Sequence, residues 1–205
     1  MARIDDYINA KKIAVKKLAG ADFDDIAKQS GFKTTNKSSF EIPFLDRVYR
    51  TGFPDFEFED ASDKEKDVPI QEQVLILHYL TAGNNSKTTG RWVAYREIPG
   101  ASFYFSAFVK RAIDPAKKVF GNNISGLLKA AKKLDGAAIE AGDTGLEFQL
   151  FPRVPLQLIL WQGDDEFPAE ANILFDEIIE KILSPEDIAW LAGMLIYRLI
   201  ALSYQ

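Results

Sequence analysis

The chain has 205 residues, a net charge of −5 and an apolar fraction of 47%, enough to bury one sizeable core, so residues 1–205 read as a single domain. Having no cysteine and one histidine, it offers no disulfide, no thiol nucleophile, no cysteine ligand for zinc or an iron-sulfur cluster and no histidine metal cluster. The acidic balance argues against non-specific nucleic-acid binding.

Ile4, Tyr7, Ile8, Val15 and Leu18 fall at helical spacing, with Lys11, Lys12, Lys16 and Lys17 on the remaining surface. That basic face suits an anionic partner or plain solvation. The first 18 residues alternate charge with apolar side chains and hold no signal-peptide core, which predicts a cytoplasmic protein. The N-x-S sequons at Asn36, Asn84 and Asn123 are then chance matches. Gly20 ends the first helix, and Asp22 with Asp25 opens a short second one that closes at Gly31.

Residues 34–39 read as loop. Residues 40–44 and 47–50 read as a hairpin about Leu45-Asp46, with Pro43 assigning the first strand to a sheet edge. Residues 56–59 alternate apolar and acidic side chains and suggest a third strand, after which 59–67 is a charged loop. Pro69 suits the first position of a helix that continues over 71–80. Val74, Leu75, Ile76, Leu77, Tyr79 and Leu80 leave that helix hardly any polar face, so it belongs deep in the fold. His78 sits among these apolar neighbours. It is either a core histidine bonded to backbone or carboxylate, or a ligand residue.

A loop of turn formers covers 83–90. Residues 92–95 suggest a short strand, and Pro99-Gly100 a turn. Phe103, Tyr104, Phe105 and Phe108 open a mainly helical region that reaches Leu134 with breaks near Pro115 and Gly121. Aromatic side chains at this density pack a core or line a cleft for a planar ligand. Trp92, Arg96, Glu97 and Tyr104, with His78, Arg153 and Trp161, are the candidate ligand-binding residues. Cationic residues dominate 110–133 and acidic residues 164–187, an asymmetry suited to contacts within the chain or to steering a charged ligand.

Residues 146–151 and 154–161 alternate as two strands of a hairpin about Pro152 and Arg153. A two-residue loop sets Glu147 and Gln149 beside Leu158 and Leu156 and mixes the faces. A three-residue loop over 152–154 pairs Leu150 with Leu156, Phe148 with Leu158 and Leu146 with Leu160, so the sequence predicts the latter. After Trp161 the chain turns polar at Gln162-Gly163-Asp164-Asp165-Glu166 and restarts at Phe167-Pro168. The acids read as a solvated turn. Alternatively Asp164, Asp165, Glu166 and Asp176, beside Arg153 and Trp161, would hold a hard divalent cation such as magnesium or calcium.

Residues 171–175 suggest a short buried strand, and 176–183 has room for two helical turns. Ser184-Pro185-Glu186-Asp187 is a helix start with a capping serine, a first-turn proline and a box-closing aspartate. Residues 188–202 carry Arg198 as their one charge, and the apolar run stops there, short of the ~20 residues needed to span a bilayer. No glycine-rich phosphate loop, HExxH, EF-hand or nucleophile elbow occurs.

The segments PRVPL, LILWQGDDEFP, ANILFD and SPEDIAWL, with EQVLILHYL (72–80) and REIPGASFY (96–104), resemble an uncharacterised bacterial and archaeal family, the domain of unknown function DUF3786. The likeness runs from about the first helix to the last, with several motifs in the same order. Some members carry an additional cysteine-rich module similar to the four-iron iron-sulfur domain of corrinoid one-carbon proteins, so the resemblance implies a link to anaerobic redox or one-carbon metabolism.

Together these patterns predict an α+β domain with a mainly antiparallel sheet, helices over one face and a buried C-terminal helix. The function they favour is a small-molecule-binding or accessory module, with a small molecule or protein as partner and neither nucleic acid nor membrane. The alternative is a metal-dependent enzyme using the acidic loop 164–166. Cofactor and oligomeric state are left unspecified.

Overall fold

The computed structural model describes residues 4–83 and 87–205, and the sequon at Asn84 lies outside the described residues. The fold is α+β with antiparallel pairing throughout, its strands shared between a four-stranded and a five-stranded sheet. Backbone contacts divide the chain into two compact units, residues 1–86 and 87–205. The boundary falls in the loop of turn formers.

The first unit comprises α1 (Ile4–Ala19), α2 (Phe23–Ser30), β1 (Lys33–Thr35), β2 (Ser39–Phe44), β3 (Arg47–Gly52), β4 (Phe58–Asp60) and α3 (Ile70–Thr81), with strand order β1-β2-β3-β4. Helix α2 is bounded as its sequence dictates. The Asp22 carboxylate accepts the Asp25 N–H at 3.1 Å, and Gly31, at φ 75°, turns its N–H onto the Ala27 carbonyl. Residues 33–35 pair as a strand instead of forming loop, so β2 is interior and not the edge that Pro43 suggests. The proline is tolerated because β1 reaches only as far as Glu41, leaving the far side of β2 open at Pro43.

Helix α3 buries Val74, Leu75, Ile76, Leu77, Tyr79 and Leu80 and is packed by α1 and α2. Its Tyr79 hydroxyl donates to the Ser30 carbonyl at 2.6 Å, fixing α3 to the end of α2. A chain of polar groups joins α3 to the sheet. The Tyr49 hydroxyl donates to Glu72 and accepts from Arg47 Nη1 at 3.4 Å, and Arg47 lies 4.0 Å from Asp60. Burial, then the Glu72 carboxylate, drives the Tyr49 phenol well above its ordinary pKa. Across the opposite, solvated face Lys33, Glu41, Arg50 and Glu59 stand in register on the four strands, a ladder of alternating charge.

The second unit opens with β5 (Trp92–Ala94) and two 3-10 turns, Tyr95–Glu97 and Ala101–Tyr104. A helix follows as α4 (Phe105–Phe108), a π-helical turn Val109–Ile113 and α5 (Asp114–Phe120). Then come α6 (Ile124–Lys132), β6 (Ala137–Ile139), β7 (Thr144–Phe151), β8 (Val154–Trp161), β9 (Glu170–Asp176), a 3-10 turn Glu177–Lys181 and α7 (Pro185–Ser203). Sheet order is β5-β9-β8-β7-β6. Pro115 does not break the helix. Its ring would meet the carbonyl four residues back, and the widened π turn immediately before it provides that room.

The β7–β8 hairpin corrects the predicted register. Its loop has two residues, Pro152 and Arg153, with Phe151 opposite Val154, and a bulge between Gln149 and Phe151 absorbs Leu150. Leu146 therefore faces Leu158 and Phe148 faces Leu156. The bulge restores the face parity that a plain two-residue loop would lose, and it buries Leu150 and Phe151 together. Leu156, Leu158 and Leu160 are all buried, as predicted.

Over this face lie the helices. Tyr95 stacks on Phe108 with centroids 4.2 Å apart, and both rings contact Phe175 of β9. The Tyr95 hydroxyl donates to the Pro185 carbonyl at 2.7 Å, and burial raises its pKa to about 12. Helix α7 starts as its sequence predicts, with the Ser184 hydroxyl accepting the Asp187 N–H at 3.2 Å. It buries nine residues from Ile188 to Leu202. Among the described residues no helix is long and apolar enough to cross a membrane.

Candidate functional site

Of the candidate residues read from the sequence, His78 belongs to the first unit and the other ten to the second. His78 is half-buried on α3 among the apolar side chains that surround it in sequence. In the second unit Phe108 packs as core, Tyr104 and Phe105 are half-buried and Phe103 is 85% exposed, and the polar groups beside them have local partners. Arg96 lies 3.8 Å from the Phe105 ring centroid. Glu97 accepts the Ala94 N–H at 2.7 Å, closing the first 3-10 turn. Tyr104, half-buried, has its pKa raised chiefly by the adjacent Glu186 carboxylate. Trp92 is half-buried opposite Asp176.

Arg153 and Trp161 occupy opposite ends of β8, the first in the hairpin turn and the second paired with Glu170. Trp161 is 41% exposed. These two residues do not share a site.

The four candidate metal ligands do not converge either. Asp164, Asp165 and Glu166 are exposed on the bend before β9, whereas Asp176 ends that strand, six residues beyond Glu170 and so roughly 20 Å along it. Asp176 is 1% exposed and fully engaged. It accepts from the N–H groups of Thr89 (2.9 Å), Gly90 (2.7 Å) and Ile178 (3.0 Å) and from the Thr89 hydroxyl (3.1 Å). Burial acts to raise its pKa, but these donors prevail and hold it below the ordinary carboxylate value. The carboxylate is a clasp for the chain around 89–90. Asp164 is also engaged, accepting from the N–H groups of Glu166 (2.8 Å) and Phe167 (2.7 Å), which lower its pKa. Among the described residues no group of three or more histidine and acidic side chains is disposed to hold a metal ion.

The acidic bend instead forms one wall of a groove. Its other wall is α5 and the turn that follows it, and the groove, of about 630 Å³, is lined by Asp114, Lys117, Lys118, Asn122, Asp164, Asp165 and Phe167 among others. Two glycines make the approach possible. The Gly163 N–H donates to the Gly121 carbonyl at 3.3 Å, and a Cβ at Gly121 would sit 2.4 Å from that of Ala169. Lys117 bridges the walls through Glu170 at 3.0 Å, joining the basic and acidic segments picked out by the sequence.

With Lys117 so paired and Asp164 folded into its own turn, Asp114, Lys118, Asn122 and Asp165 keep polar ends with no ion pair or hydrogen bond to other described residues. Phe167 stands 67% exposed at the rim. Asp114, Lys118, Asn122 and Phe167 are not among the candidate site residues read from the sequence. The signal that could have found them is the charge asymmetry between 110–133 and 164–187, read together with the break at Gly121.

No curated protein and no solved structure matches the chain. The iron-sulfur module carried by some proteins of the family it resembles finds no support here, since the chain has no cysteine. Residues 22–198 match the model of the family described as Domain of unknown function (DUF3786), and the chain belongs to that family.

Proposed function

We propose that the chain is a cytoplasmic binding module and that its site is the groove between α5 and the bend 163–169. The ligand is a small molecule that carries a cationic group together with an anionic one. The observation that supports this most is the groove's unspent polar set. Asp114 and Asp165 suit an ammonium or amidinium group, Lys118 and Asn122 a carboxylate or phosphate, and the exposed Phe167 ring a flat or apolar portion. The groove holds one more carboxylate than ammonium group, which favours the cationic end.

A thermal-shift screen of amino acids, polyamines, nucleotides, corrinoids and divalent metals tests this reading; corrinoids enter on the strength of the family resemblance. A ligand present at 100 times its Kd adds about 2.7 kcal/mol of stability. The expected result is stabilisation by a compound of mixed charge, lost in Lys118→Ala/Asp165→Ala while the Tm of the unliganded variant stays at that of the parent. Stabilisation of parent and variant alike would remove the groove from consideration. Absence of stabilisation by every class would remove the small-molecule reading itself.

A further inference from the structure

We propose that the first unit binds an extended acidic peptide segment in the groove between α1 and the start of α3. The groove, of about 520 Å³, has Ile8, Val15 and Ile70 as its apolar lining and Lys12 and Lys16 along one rim. Helix α1 buries Ala14 and Leu18 on its inner stripe. Ile8, however, is 40% exposed and Ile4 still more so, so the helix presents a second apolar stripe to this groove.

Three features select the occupant. The first is charge. Lys11 is matched by Glu57 at 3.4 Å, whereas Lys12 and Lys16 are exposed and have no ion pair among the described residues. Two ammonium groups one turn apart on α1 call for two anionic groups, and Asp55, which lines the groove from the segment between β3 and β4, repels any anion placed beside it.

The second is spacing. Lys12 and Lys16 are one helical turn apart, about 6 Å. Alternate residues of an extended chain are about 7 Å apart and project to the same side. Acids at alternate positions would thus meet both lysines while the apolar residue between them points to the floor.

The third is an acceptor without a donor. Gln73 lines the groove, and donation from its Nε2 to the Val68 carbonyl at 2.7 Å fixes the orientation of the carboxamide. Its Oε1 is buried and, among the described residues, has no hydrogen-bond partner. Once a local shift of the side chain uncovers this oxygen, an extended peptide has backbone N–H groups to give it. A helical peptide uses those groups internally, and a fatty-acid carboxylate has none.

Fluorescence anisotropy on the full chain decides the matter, with three probes: a labelled peptide alternating leucine with aspartate and glutamate, the same peptide with lysine at every acidic position, and phosphatidylglycerol vesicles. The acidic peptide is expected to bind with a steep salt dependence, and to weaken at least tenfold in Lys12→Glu/Lys16→Glu and in Ile8→Asp. All three substitutions are at solvated positions, and unchanged far-ultraviolet circular dichroism confirms that the variants fold. Failure of the acidic peptide to bind overturns the proposal. So does equal binding of the lysine peptide, undiminished binding by both variants, or preference for the vesicles.

Discussion

The two units solve one problem in different ways: each must hold an antiparallel sheet against helices, and each buries a charge in doing so. In the first unit the link is made by long side chains, with Tyr49 between Glu72 of α3 and Arg47 of β3, and Arg47 near Asp60. In the second the sheet face is almost wholly apolar, and its buried carboxylate, Asp176, is held by backbone N–H groups and one threonine. A buried anion therefore needs no counter-ion when enough donors converge on it. The side chains of the first unit can relax when a partner is lost, whereas the backbone donors of the second cannot turn away.

Breaking the apolar face of the second unit should produce the largest effect. Leu158 is 1% exposed, with Leu146 on one side and Ile173 on the other. Leu158→Ala removes buried area and leaves a cavity between three strands, so it is expected to cost about 3 to 5 kcal/mol in urea unfolding. A loss under 1 kcal/mol would mean that the leucine face is not the support of this sheet.

The contrast between the buried charges comes next. Asp176→Ala strands the N–H groups of Thr89, Gly90 and Ile178 and is expected to cost about 3 kcal/mol. Glu72→Ala leaves the Tyr49 hydroxyl and the Arg47 guanidinium free to find each other or water, and is expected to cost about 2 kcal/mol. Acid sharpens the comparison. The pKa of Asp176 is depressed in the folded state, so its contribution is present above the ordinary aspartate value and is lost as pH falls below about 4 and through the folded pKa. Asp60 behaves likewise, held low first by the Ser62 hydroxyl. Asp176→Asn should flatten the acid limb of the stability profile but not abolish it. If the limb is unchanged, Asp176 is not a proton-linked clasp.

How far these features could be read from the sequence depends on their range. The caps at Asp22, Gly31 and Ser184 are local, set by one residue and a backbone turn, and the structure has them where the sequence puts them. The leucines of β8 are legible because alternation has only two phases. The hairpin register was lost by two residues because a bulge cannot be seen in alternation: one extra residue in β7 reverses the face, and the pattern alone attributes that residue to the loop. Pro43 misled for a related reason, since nothing near it records that β1 pairs with β2 no further than Glu41. The candidate site was the least legible. Its walls lie some 45 residues apart, and what brings them together is the absence of side chains at Gly121 and Gly163, which in a single sequence is indistinguishable from an ordinary turn.

The smallest effect runs in the opposite direction and bears on the first unit. Thr51 lies at the middle of its sheet, paired with Phe40 on β2 and Phe58 on β4. It is 2% exposed, yet its hydroxyl has no hydrogen-bond partner among the described residues. The corresponding strand of the second unit, β8, sets Val154 and three leucines on its inner face, with no side-chain polar atom among them. Valine matches threonine in shape and in its preference for strands. Thr51→Val therefore deletes an unsatisfied polar atom without opening a cavity, and is expected to stabilise the chain by about 1 kcal/mol, read as a rise in the urea midpoint at constant slope. A fall of that size would mean that the hydroxyl is satisfied in solution, by a bound water or by rotation onto a backbone carbonyl. The first unit would then be the better hydrogen-bonded of the two, reversing the contrast between them.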